Sequence, residues 1–555
     1  MARKYKILLA LLLLLAGAGV AGTWFLEPIL ERSLDRYVRE KISVSSGTPS
    51  YHFTYGDLEF DLTAARVSFR EVRMTPDSLY KEAFRRGDTR AKALKEMRVN
   101  RISVAGIGLL NFLWDKDVAI GEIQIDSVSL NLLQTDSLRR KPLADPDKRD
   151  FSLDSIRLPG LRSLSLGRLG LKHLGLYTLR ESSGDTVSSF ASKGGEIRGL
   201  ALTPVEGGEG SLFRFDPTGL YINLEPEQLD LRKSLYTMGF RGLEYTYSKR
   251  ELHVRDLLFR PRAARDSFRL KNTHSYEIYE ATATDLILEG FDLKAFLGGG
   301  DFITDRMLVD SLHMEIYRDK TKPYNTSKQV LLPQQGLKRT RFPIHIGTVG
   351  LRHSYLKYTE QTKAGAAPLV VNFSEVDGQI GFITTLPDSL QAGKPLSIDL
   401  SARLDGAIPV GVKIAMDYDT ERFNVTAHTE GTSNFSSLNE TVLPALGMRF
   451  KSGVLDGLRF KAAGNPSTIR GELTLRYHNL EVEIFKEHHK KKGASWVANT
   501  LLKSSNPNRR GHTVVGTVEF TREPYKGMAN MVWKGVESGV VNSLNPFGKR
   551  RVAGR

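Results

Sequence analysis

Apolar and polar residues alternate in steps of two along most of this chain. Residues 120–134 read IGEIQIDSVSLNLLQ. Ile123 and Ile125 alternate with Gln124 and Asp126. The phase then slips by one, and Val128, Leu130 and Leu132 alternate with Ser129 and Asn131. A period of two marks a strand with one apolar and one polar face. Residues 53–62, 213–224, 243–259 and 410–430 show the same alternation and are joined by short turns. Three stretches read as helices: 77–97, interrupted by Gly87; 487–504, interrupted by Gly493; and 526–545, with Met528, Met531, Val532 and Val536 at helical spacing. Gly527, Gly535 and Gly539 weaken the last of these as an isolated helix. It is expected to pack on the end of a sheet and cap an open edge. The competing role is to lie on an anionic membrane through Lys526, Lys534, Lys549 and Arg550.

The pattern repeats. VSFREVRMTP (67–76) matches LHVRDLLFRP (252–261), the stretch 109–133 matches 293–317, and LGRLGLKH (166–173) matches IGTVGLRH (346–353). The three matches keep their order and nearly their separation, which points to a duplicated β unit. In the second copy Met307, Val309, Leu312, Met314 and Ile316 form the apolar set. Its phase slips at Asp310-Ser311, as the first copy's does at Asp126-Ser127. A slip at the same place twice implies a bulge or bend that turns the sheet. The central strand of each copy is followed by a polar, basic, proline-containing loop, 135–150 and 318–341. The chain therefore divides into 1–26, 27–45 (a juxtamembrane helix), a first β unit 46–190, connecting strands 191–238, a second β unit 239–365 and a C-terminal β region with helices, 366–555.

At the N-terminus Arg3, Lys4 and Lys6 precede twenty uncharged residues, 7–26. That length matches the ~20 residues needed to cross a bilayer. Ile7, Leu11, Leu15, Val20, Trp24 and Leu26 are the expected anchor residues, with Trp24 at the interface and the bulk of the chain exported. A cleaved signal peptide is the alternative, with AGAGVAG supplying the cleavage site. The apolar pattern continues at helical spacing through Ile42, which favours the anchor.

With 555 residues, the chain has room for several domains, and its 26% charged and 40% hydrophobic residues are ordinary for a folded protein. The net charge of +16 is scattered over short clusters at 139–142, 338–341, 488–492 and 548–551. No nucleic-acid motif accompanies them, so a membrane surface is the expected partner and nucleic acid is not. The absence of cysteine excludes disulfides, thiol catalysis and cysteine-ligated metal. There is no phosphate-binding loop, nucleophile elbow or zinc-protease motif. Gly298-Gly299-Gly300 reads as a turn, and His488-His489, followed by three lysines, as a solvated loop. His173 and His353 match between the copies. With no carboxylate beside both in sequence, they are expected at strand ends. Glu71 and Asp256 match too, each after an arginine, and read as surface ion pairs or turn residues. No catalytic residue, cofactor or metal is expected.

The N-terminal segment followed by YHFTYGDLEFDLTAARVSFREVRMTP (51–76), the repeated one-sided strands, and the C-terminal stretches 443–487 and 516–540 together resemble the AsmA-like family of bacterial envelope proteins. That family is related in architecture to TamB and other bridge-like lipid-transfer proteins. The resemblance implies a mostly β fold: an N-terminal transmembrane helix, then a long curved antiparallel β-sheet forming an open groove of repeated units, with a few flanking helices. It further implies a single-pass inner-membrane protein with its bulk in the periplasm. Such a protein binds or conducts phospholipid acyl chains and supports outer-membrane lipid homeostasis, with other envelope proteins as further partners. The groove candidates are then Ile123, Ile125, Val128, Leu130, Leu132, Met307, Val309, Leu312, Met314 and Ile316. The alternative is a non-enzymatic structural or assembly factor whose β core is closed. The two basic mid-body loops are not features of the resemblance.

Overall fold

The computed structural model describes residues 31, 32, 35, 36, 51–61, 63–64, 66–86, 94–107, 117–134, 156–157, 163–204, 212–216, 218–231, 235–264, 267, 272–340, 342–391, 393–446, 448–486, 489–490 and 504–544. Strands dominate. The chain forms two compact units, Met1–Lys249 and Arg250–Arg555. The anchor residues Ile7, Leu11, Leu15, Val20, Trp24 and Leu26 lie outside the described residues. Among the described residues no helix is long and apolar enough to cross a membrane.

The first unit contains β1 (Tyr51–Thr54), β2 (Leu58–Asp61), β3 (Arg66–Pro76), β4 (Leu94–Ile107), β5 (Asp117–Gln134), β6 (Ile156–Arg157), β7 (Ser163–Arg180), β8 (Thr186–Pro204), β9 (Leu212–Asp216), β10 (Tyr221–Leu231), β11 (Tyr236–Gly239) and β12 (Gly242–Thr246). β1 and β2 both pair with β3, and the sheet continues β3–β4–β5–β7–β8–β10, with β11 and β12 on β10. Of the helix expected over 77–97, Ser78–Arg86 is helical. From Leu94 onward the alternation of Met97, Val99, Ile102 and Val104 makes a strand, because tertiary pairing overrides helix propensity.

The second unit repeats this succession. It runs β13 (Glu251–Pro261), β14 (Tyr276–Glu289), β15 (Phe302–Asp310), β16 (His313–Asp319), β17 (Ile344–Gln361) and β18 (Leu369–Thr384). It then continues through β19 (Leu396–Leu404), β20 (Ile408–Met416), β21 (Phe423–Thr429), β22 (Ser433–Asn434), β23 (Met448–Gly464), β24 (Thr468–Lys486), β25 (His489–Lys490) and β26 (Val515–Thr521). β15 and β16 both pair with β14 and act as one strand interrupted at Ser311. Strand for strand, β3-β4-β5-β7-β8 corresponds to β13-β14-β15/β16-β17-β18. The first copy's strand β8 runs through residue 190, so the boundary expected there falls inside a strand.

The sheets are mixed rather than antiparallel. β5 pairs with β7, and β15 and β16 pair with β17, in parallel. A parallel neighbour needs a crossover of a dozen or more residues to return the chain to the same end. In the sequence each basic stretch lies between the parallel partners, 318–341 between β16 and β17 and 135–150, outside the described residues, between β5 and β7.

The phase slip has a backbone origin. Glu71 (φ 50°), Ser127 (φ 58°) and His173 (φ 49°) are left-handed in the first unit, and Asp256 (φ 51°), Ser311 (φ 52°) and His353 (φ 48°) in the second. Such residues cost roughly 1–2 kcal/mol each outside glycine. Apolar spacing across each break becomes three: Phe69 to Val72, Ile125 to Val128, Leu171 to Leu174. β4 shows the same spacing from Val99 to Ile102. Because neighbouring strands break at one level, the ladder stays in register, with Ile102 opposite Ile125 and Val99 opposite Val128. The feature is thus a transverse row of breaks rather than an inserted residue on one strand.

Gly298 and Gly299 end a short helix, Leu293–Gly299, and Gly300 (φ 77°) closes it as a left-handed cap. The segment 526–545 is a helix over Met528–Leu544, with Met531, Gly535, Gly539 and Ser543 buried against the sheet. The expected helix 487–504 lies almost entirely outside the described residues.

Candidate functional site

The residues that stand opposite one another in the ladder turn one-sided strands into a continuous apolar face. In the first unit one transverse row is Val67, Val104, Ile123, Leu169, Ile197 and Ile222. The next is Phe69, Ile102, Ile125 and Leu171. Beyond the breaks come Val72, Val99, Val128 and Leu174, then Met74, Met97, Leu130, Leu176, Phe190 and Leu229. All five first-copy candidates, Ile123, Ile125, Val128, Leu130 and Leu132, lie on this face and are half-buried. The helix Ser78–Arg86 does not cover it. Phe84 packs with Leu94 and Leu133, which point to the opposite side from Leu132.

In the second unit the row Leu252, Leu288, Met307, Val349, Ile380 and Ile398 crosses six strands and runs on through Ile414, Val425 and Ala462. Val309 is buried at 8% exposure, and Met307 and Leu312 pack with it. Met314 and Ile316 are half-buried on the same face. Towards β23, β24 and β26 the face closes. Phe460 is 2% exposed and Ile469, Leu473, Val518 and Met531 are 0%. The helix Met528–Leu544 covers them, and Leu332 with the short helix Pro333–Arg339 enters the same cluster.

The crossover between β16 and β17 is tied in place. Gln334 Nε2 donates to Glu421 O at 3.1 Å, and Lys338 Nζ to Tyr418 O at 2.9 Å. Val330 N donates to Pro524 O at 2.9 Å. Arg522 is 8% exposed. Its Nε donates to Lys526 O at 2.8 Å, its Nη1 to Pro466 O at 2.8 Å and its Nη2 to Val330 O. Burial pulls the guanidinium below the ordinary arginine pKa. Sequence reasoning missed this plug. Its signal, Pro333 followed by an apolar and basic helical turn, sat inside a stretch that read as a polar loop.

The matched histidines are not at strand ends. Each lies mid-strand at a left-handed break, beside an aspartate of the parallel neighbour: His173 Nδ1 is 3.6 Å from Asp126 Oδ1, and His353 Nδ1 is 3.0 Å from Asp310 Oδ1. The parallel register that creates these contacts could not be read from the sequence. Ser311 Oγ also donates to Asp310 at 2.9 Å. The His353 contact, then Ser311, holds the Asp310 carboxyl below the usual carboxylate range. A depressed carboxyl pKa stabilises the fold above its unfolded value, and that contribution is lost as pH falls through the folded value. Both groups are exposed, so the effect is small. Asp310→Asn should cost less than about 1 kcal/mol at neutral pH and reduce the acid-side loss of stability, read by urea unfolding at several pH values.

Among the described residues no group of three or more His, Asp or Glu is arranged to hold a metal ion. No protein-family model matches the chain, and no curated protein matches it.

Proposed function

We propose that this chain is a membrane-anchored envelope protein of the AsmA-like kind that binds or conducts phospholipid acyl chains along its apolar sheet face. One observation carries the reading: four adjacent apolar rows cross the first unit on one face, and, away from the edge where Tyr55 packs on Phe69 and from the buried Val67 and Val99, no described helix packs over Ile123, Ile125, Val128 and Leu130, which stay half-buried. In water such a face is costly. An acyl chain laid along it removes apolar surface on both sides, worth about 0.8 kcal/mol per buried methylene. Strand rows offer a linear apolar track and require no head-group contact. Under this reading the N-terminal segment anchors the chain in the inner membrane, the body lies in the periplasm, and phospholipid is the partner.

The closed end of the second unit favours a second reading, a structural or assembly factor with a sealed β core. Photo-crosslinking amino acids at Ile125 and Leu130 separate the two. Crosslinks to phospholipid, with phospholipid co-purifying by mass spectrometry, are expected from the first. Crosslinks only to protein and a lipid-free preparation would establish the second.

A further inference from the structure

The polar face of the first unit carries a charge pattern that its second copy lacks. Arginine stands directly opposite arginine twice on β3 and β4: Arg70 against Arg101, and Arg73 against Arg98. Like charges in directly opposed positions destabilise an antiparallel pair. The second copy builds the same two strands otherwise. At the matching positions it sets Arg255 against Asp285 and Leu258 against Thr282. The second copy thus forms the same strand pair without these arginine–arginine oppositions.

Arg73, Arg98 and Arg101 are exposed and Arg70 is half-buried. Arg70 reaches Glu59 at 2.6 Å and Arg73 reaches Glu71 at 3.6 Å. With Asp126, which stands opposite Arg101 on β5, three carboxylates face the four arginines and leave the group net positive by one. Opposed side chains start about 5 Å apart, and the two pairs start about 10 Å apart along the strands, so the four arginines leave one sheet face from the corners of a rectangle. The helix Ser78–Arg86 lies beside it on the same face, since Lys81 Nζ bonds Glu96 at 3.3 Å, two residues from Arg98. On that helix Leu79 is 75% exposed.

We infer that this face docks on an anionic phospholipid surface. Planar guanidinium groups take phosphate oxygens two at a time. Four of them rising from one sheet face suit an array of head groups, and an exposed leucine beside them suits the head-group boundary. A soluble polyanion would have no use for Leu79. The inference is independent of acyl-chain binding, which uses the opposite face.

The chain has no cysteine, so Leu79→Cys accepts a single environment-sensitive fluorophore. The labelled full chain is titrated with phosphatidylcholine vesicles and with vesicles enriched in phosphatidylglycerol. The expected result is a strong response to the phosphatidylglycerol vesicles that weakens with added salt. In Arg73→Leu with Arg98→Thr, which copies the second unit's pair, affinity should fall roughly thirtyfold. Arg101→Asp, copying Asp285, should also weaken it. Equal responses to both vesicle types, or unchanged affinity in the two variants with intact β-sheet circular dichroism, would overturn the inference. So would displacement by inositol hexakisphosphate at equal phosphate concentration, which would assign the patch to a soluble polyanion. Photo-crosslinking at Ile125 in the same variants reads acyl-chain binding separately.

Discussion

Phe460→Ala should lower the stability of the second unit by about 3–5 kcal/mol, whereas Leu171→Ala in the first unit should cost roughly 1 kcal/mol. The two residues occupy comparable places, each on the apolar face of a long strand paired on both sides. They differ in what lies above them. Phe460 is 2% exposed and packs in a cluster with Leu473, Val518 and Met531. Truncating it leaves a cavity that the surrounding close-packed side chains fill only in part. Leu171 is half-buried, and its loss removes only the area it hides against its strand neighbours. Hydrogen exchange of β23–β24 amides against β5–β7 amides reads the two effects separately. Equal costs would mean that the first unit's face is as tightly covered as the second's, and lipid binding there would lose its basis.

Gly539→Leu should lift the C-terminal helix from the sheet and cost more than about 3 kcal/mol. A Cβ at Gly539 would sit 2.6 Å from Leu473 Cβ and 2.9 Å from Val518 Cγ2. Neither neighbour can retreat, because both belong to paired strands. The helix must move, and it takes Met531 and Val536 with it. Gly535 and Gly539, two of the glycines that weaken this segment as an isolated helix, thus allow its close approach to β24 and β26. Limited proteolysis within 528–544 should become fast, and an apolar dye should bind. An unchanged digestion pattern would show that the helix tolerates the added side chain.

Much of the strand content was legible, because alternation survives wherever one face is apolar. The breaks were legible too, as apolar spacings of three at Ile125–Val128 and Val309–Leu312. Their neighbours Phe69–Val72 and Leu171–Leu174 carry the same signal and complete the rows. Strand direction was not legible. Nothing local distinguishes a parallel neighbour of β5 from an antiparallel one, since direction depends on the path of the crossover. The carboxylate partners of His173 and His353 were hidden for the same reason. The plug at Leu332 was hidden because its apolar residues are few and become buried only through contacts with Tyr418, Glu421 and Arg522, which lie far along the chain.

The transverse breaks bear on how the strands find their alignment. In a strand that alternates uniformly, slipping by two residues keeps every apolar side chain on the correct face, so hydrophobicity alone penalises it little. Here each strand carries a left-handed residue or a three-residue spacing at one fixed level. A strand displaced by two would set its break against its neighbour's regular backbone, and the apolar residue carried past the neighbour's break would face outward. Glu71, Ser127 and His173 therefore act as alignment pins, and removing one residue beside any of them should scramble that strand's pairing where removing one from a turn would not.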